Sequence, residues 1–100
     1  MRLSSEYQTH IIQSFKEHFL PEDHLWLFGS RVYDDKKGGD IDLYIETHYQ
    51  ANKACQARSD FWCDLQKRLG AQKIDVVLKL NDDHHLAIYD VARKEGIILA

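Results

Sequence analysis

The chain has 100 residues and a mass of 11.7 kDa, which is one domain, because two would leave too little chain for two cores. Its 44% hydrophobic and 29% charged residues describe a folding globular chain, not a disordered one. A net charge of −3 and a pI near 6.0 argue against a tight grip on a nucleic-acid backbone, yet leave room for a single nucleotide whose charge is met locally.

No apolar run approaches the length of a membrane span, and the start Met1-Arg2-Leu3-Ser4-Ser5-Glu6 has no apolar signal core, so the expected compartment is the cytoplasm. Area scaling gives an expected folded surface of roughly 5,900 Å².

The first helix is predicted from about Glu6 to Phe19, with Ser5 as cap and Gln8 completing a capping box. Tyr7, Ile11, Ile12, Phe15 and Phe19 form its apolar stripe, and Pro21 marks its end. Leu25-Trp26-Leu27-Phe28 reads as a buried strand that stops at a glycine. A polar, glycine-rich stretch runs from Gly29 to Gly39. Asp40-Ile41-Asp42-Leu43-Tyr44-Ile45-Glu46 then alternates: Ile41, Leu43 and Ile45 face one way, and Asp40, Asp42, Tyr44 and Glu46 the other.

A long helix is predicted from Ala51 to Leu69, with Phe61, Trp62, Leu65 and Leu69 on its apolar face and Gly70 as its stop. It carries both cysteines, Cys55 and Cys63, which on a helix lie about 12 Å apart, too far for a disulfide. Lys73 to Leu80 is a third strand, with Ile74, Val76 and Leu78 on one face and Asp75 and Val77 on the other. Asn81-Asp82-Asp83 caps a last helix reaching about Lys94, and Ile97-Ile98-Leu99 adds a short strand. The domain is α/β: a small mixed sheet with helices packed on it, in the order α-β-α-β-α-β-α or close to it.

The chemistry concentrates in Gly29-Ser30-Arg31 followed by Asp40-Ile41-Asp42. Two carboxylates two apart on a strand project to the same side and repel, so their face is either open to water or a metal site. A solvated edge strand is the plainer reading. Three features favour a site. Gly38-Gly39 lets a ligand approach the backbone closely. Gly29-Ser30 turns directly off a buried strand and offers N–H groups to phosphate. Asp75 brings a third carboxylate on a neighbouring strand. Three aspartates and a Gly-Ser turn suit a triphosphate held by two metal ions. Neither GxxxxGK[ST] nor GxGxxG is present, nor are CxxC and HExxH; a zinc site would have to be assembled from scattered histidines.

Leu27-Phe28-Gly29-Ser30-Arg31, Gly39-Asp40-Ile41-Asp42-Leu43 and the later Asp75 resemble the nucleotidyltransferase superfamily that includes DNA polymerase beta. More closely, they resemble the minimal nucleotidyltransferases of prokaryotes, over most of the chain from Leu25 to about Leu78. The resemblance implies that Asp40, Asp42 and Asp75 bind two Mg²⁺ ions, with Asp75 helping to activate the attacking hydroxyl. It implies that Gly29 and Ser30 hold the phosphates of ATP or another NTP. Arg31 either steadies the triphosphate or is a surface residue.

Lys36 and Lys37 are candidates for a lid over the phosphates, against the plainer reading of a solvated turn. Tyr44 and Glu46 share the site face as supporting residues. The histidines, His84-His85 included, read as surface residues. Trp26, Phe28, Phe61 and Trp62 read as core, although a nucleobase could stack on a partly exposed ring.

Small members of the family resemble the antitoxins of toxin–antitoxin pairs, which transfer AMP to a tyrosine hydroxyl of a partner HEPN-type toxin. The outer side of the long helix or Ile97-Ile98-Leu99 would offer the docking surface. Two other readings stay open: a binding module that neutralises or scaffolds a partner without chemistry, and nucleotidylation of a small molecule.

Overall fold

A computed structural model describes residues 1, 3–33, 39–81 and 86–100. In chain order it contains α1 (Ser5–His18), β1 (His24–Phe28), a 3-10 turn (Gly29–Val32), β2 (Ile41–Thr47), α2 (Ala51–Leu69), β3 (Ile74–Leu80), α3 (Ala87–Glu95) and β4 (Ile97–Ile98). The α/β class and mixed sheet match the expectation, with the helix after β1 reduced to the 3-10 turn. Lys36, Lys37, Gly38, Asp82, Asp83, His84 and His85 lie outside the described residues, so the expected lid does too; the expected cap of the last helix at Asn81-Asp82-Asp83 is corrected, because α3 begins only at Ala87, with Leu86 in the N-cap position and no side-chain cap bond. The accessible surface of 5942 Å² agrees with area scaling.

The four strands are ordered β3-β2-β1-β4. β2 runs parallel to β3 and antiparallel to β1, and β4 pairs antiparallel with the other edge of β1. Crossing from β2 to a parallel neighbour requires a helix-length connection, which α2 supplies.

Alternation sends the two sheet faces into two cores. On one face Leu25, Leu27, Ile41, Leu43, Ile45 and Ile74 pack against α1 and α2 through Ile11, Phe15, Phe61 and Leu65. Each large side chain buried here contributes about 1.5–3 kcal/mol. On the other face Trp26, Phe28 and Tyr44 pack against Tyr89 and Ala92 of α3. Tyr44 and Tyr89 stack at 5.8 Å between ring centroids, and the Arg93 guanidinium lies 5.6 Å over the Trp26 ring.

Three further expectations need correction. The cap of α1 is Ser4, whose Oγ accepts from the Tyr7 N–H at 3.1 Å; Gln8 donates to the Leu3 carbonyl instead of closing a capping box. The helix starts one residue earlier because Ser4 keeps the extended backbone that a cap requires. Trp62 is not core: it is 42% exposed, with its indole N–H donating to the Ile74 carbonyl at 3.0 Å. The stripe that α2 buries is Ala54, Ala57, Phe61, Leu65 and Leu69, one residue off Trp62. Tyr44 belongs to the buried α3 cluster, not to an open site face.

Both cysteines are free and exposed on α2. No described helix is long and apolar enough to cross a membrane.

Candidate active site

β1 ends, and β2 and β3 begin, at the same end of the sheet, because β1 is antiparallel and β3 parallel to β2. Register sets Phe28 opposite Asp42, and Asp42 opposite Asp75. The Gly29–Val32 turn leaves β1 at that end, so the Gly-Ser turn and two aspartates meet without long side chains having to reach.

Gly29 has φ +79°, a left-handed conformation. A Cβ there would collide with the Asp42 carboxylate. Asp42 therefore lies directly against the backbone of the turn. Gly39, with φ +92°, is its counterpart: a Cβ there would strike the Ser30 hydroxyl. The two glycines thus let the Asp42 carboxylate lie against the backbone of Gly29, and the Ser30 hydroxyl against that of Gly39. Arg31 is half-buried in the same turn.

The carboxylates are not equivalent. Burial first, then the charges of Asp75 and Asp40 and a hydrogen bond shared with Asp75, raise the Asp42 carboxyl above its ordinary range; Lys73 pulls it partly back. Asp42 and Asp75 stand side by side in the parallel register of β2 and β3. Asp40, just before β2, turns to Lys73, whose Nζ is 3.4 Å from its Oδ2. The three acids do not draw their oxygens into one compact cluster among the described residues. The sequence reading missed Lys73, although it lies two positions before Asp75 and alternation places both on one face.

Farther along this face Tyr44 donates to Glu46 at 2.7 Å, and Arg93 of α3 reaches the same carboxylate at 3.5 Å. Burial first, then the bond to Glu46, push the Tyr44 phenol far up, so it stays neutral. Tyr44 and Glu46 thereby tie α3 to the sheet.

The donor set suits a hard divalent cation: oxygen ligands only, crowded negative charge, and one exposed lysine as partial compensation. A second group, Glu17, His18 and Asp64, brings potential ligand atoms within 4.8 Å of one another. Arg68 already occupies it, with Nε 3.0 Å from Asp64 and Nη2 3.1 Å from Glu17, and His18 Nδ1 lies 2.7 Å from the Ser14 carbonyl oxygen. It is an ion-pair network that joins α1 to α2.

Gly29→Ala tests the close approach. The substitution meets both the left-handed backbone and the Asp42 carboxylate, and is expected to cost about 2 kcal/mol in denaturant unfolding. Gly70→Ala, at φ +78° with open space around it, shares the backbone penalty and leaves the Asp42 environment unchanged.

No curated protein matches the chain. The family model described as polymerase beta, nucleotidyltransferase matches residues 9–100, a span that takes in the Gly-Ser turn and all three aspartates. With nearly the whole fold inside that match, the chain belongs to the polymerase beta nucleotidyltransferase family.

Proposed function

We propose that this domain transfers a nucleoside monophosphate, AMP from ATP in the first instance, to a hydroxyl of a partner protein. The observation that carries the reading is the meeting of Asp42, Asp75 and the Gly29-Ser30 turn at one end of the sheet.

In this reading Asp40, Asp42 and Asp75 hold Mg²⁺, which supplies charge neutralisation and polarisation of the phosphates. Gly29 and Ser30 receive the β- and γ-phosphates through backbone N–H groups and the Ser30 hydroxyl, and Arg31 steadies them. The acceptor oxygen bonds to the α-phosphorus as the bond to the β-phosphate breaks. The electron pair leaves with pyrophosphate, and Asp75 takes the hydroxyl proton. The protein contributes position and electrostatics. The partner is proposed to be a HEPN-type toxin, with the domain acting as its antitoxin.

The test is transfer of label from each of four α-labelled NTPs, with Mg²⁺, to proteins in a lysate of the source cells. The Asp40→Asn/Asp42→Asn double variant runs alongside. A labelled band that vanishes with the variant supports the reading, and the band's mass identifies the acceptor. Equal labelling by the variant contradicts the roles given to these aspartates.

A further inference from the structure

Beside Asp75 runs a groove of about 300 Å³, lined by Arg58, Ser59, Trp62 and Cys63 of α2 and by Ile74, Asp75 and Val76 of β3. β3 is the terminal strand of the sheet, so among the described residues no strand pairs with its outer edge. Trp62 stands at the start of that edge, held by its bond to the Ile74 carbonyl, and the residue is 42% exposed. Its orientation is therefore fixed while the ring stays accessible. Arg58 lies one helical turn earlier on the same side of α2, half-buried in the groove wall.

We propose that this groove seats the acceptor: an extended protein segment whose apolar flank lies on Trp62, whose acidic neighbour meets Arg58, and whose hydroxyl crosses the free β3 edge to reach Asp75 on the face of Asp42. The assignment rests on the transferase reading above and names the acceptor subsite of that same site. In-line displacement gives the direction. The attacking and leaving oxygens lie on opposite sides of the α-phosphorus. The phosphates of the leaving pyrophosphate belong at Gly29-Ser30, on the β1 side of Asp42, so the acceptor enters from the β3 side.

Two features favour a polypeptide over a nucleic acid. Beyond the Ile74 carbonyl, which Trp62 takes, the open strand edge pairs with extended peptide backbone. One arginine in a chain of net charge −3 does not suit a polyanion, but does suit a single acidic side chain.

The experiment uses short peptides, each with one tyrosine, serine or threonine flanked by glutamates or by lysines, as acceptors with α-labelled ATP and Mg²⁺. The wild type is expected to prefer the glutamate-flanked set. Trp62→Ala should lower transfer at least about tenfold while MgATP affinity stays within about twofold. Trp62→Phe, which keeps a ring, should retain most of the transfer. Arg58→Glu should reverse the preference toward lysine flanks. Equal transfer by wild type and Trp62→Ala, or a flank preference that survives Arg58→Glu, overturns the assignment.

A binding readout separates this failure from failure of the chemistry. Of the two tryptophans Trp26 is buried, so acrylamide quenching reports Trp62. Where no peptide is labelled, shielding of Trp62 by the glutamate-flanked peptides upholds the groove, and the transfer reaction is what fails. An unshielded Trp62 overturns the groove itself.

Discussion

Asn in place of Asp42 is expected to stabilise the metal-free fold and to abolish transfer. Burial, then the charges of Asp75 and Asp40, hold the Asp42 carboxyl above its ordinary range. A carboxyl whose pKa is raised by folding binds its proton more tightly in the native state. Stability therefore falls as pH rises from the unfolded value of about 3.8 through the raised one, and the penalty stays at neutral pH. Asn removes that charge and keeps the size. The variant should melt a few degrees higher than wild type at pH 7 without divalent cations, and its pH profile should lack the decline.

Mg²⁺ should reverse the ranking by binding the wild-type native state and not the variant. Transfer should drop by at least about 10³-fold. Thermal melts at pH 4 to 8, with and without Mg²⁺, check the stability half. A variant that melts lower than wild type in the absence of metal contradicts the crowding of charge at this site.

The largest loss of stability is expected at the opposite end of the sheet. Asp23 lies between α1 and β1, and its side chain has no solvent exposure. Its oxygens accept from the Thr47 hydroxyl at 2.7 Å, the His48 backbone N–H at 2.9 Å, His48 Nδ1 at 2.8 Å and the Leu20 N–H at 3.1 Å. Burial alone would raise its pKa. The bonds from Thr47, His48 and Leu20 outweigh that and lower it.

Asp23→Ala strands several donors at once and should cost about 3 kcal/mol, near 15 °C in melting temperature. Because the pKa is depressed, this contribution is present above the unfolded value of about 3.8 and is lost as pH falls through the folded value. The wild-type advantage over Asp23→Ala should therefore shrink in acid. Thr47 and His48 lie at and beyond the far end of β2 from Asp42, so protein kept folded at low temperature should retain its transfer rate. A loss below 1 kcal/mol at pH 7 contradicts this account.

The order of elements could be read from periodicity and from Gly and Pro punctuation, and α2 has the bounds that its pattern predicts. What could not be read was where one element covers another. Alternation correctly put Tyr44 and Glu46 on the face of Asp42, but pattern alone does not say that α3 closes that face from Tyr44 onward. Trp62 sits at the border of its helix stripe, and only the packing of α2 on the sheet decides that its ring stays outside.

The candidate site was legible because its parts are local: a Gly-Ser turn at a strand end and aspartates at strand starts. Asp23 was not. It is one acid in Pro21-Glu22-Asp23-His24, and Thr47 and His48, which bond it most closely, come from the far end of another strand. Lys73 and Arg58 matter only through what β3 brings beside them.

The proposed reaction is defined by which bond of the nucleotide is broken. α-Labelled and γ-labelled ATP, incubated in parallel with the protein, Mg²⁺ and its acceptor, test it most directly. Label is expected in the acceptor from the α position alone, with pyrophosphate released in equal amount. Label from the γ position would make the reaction a phosphoryl transfer and contradict the roles proposed for Gly29, Ser30 and the three aspartates.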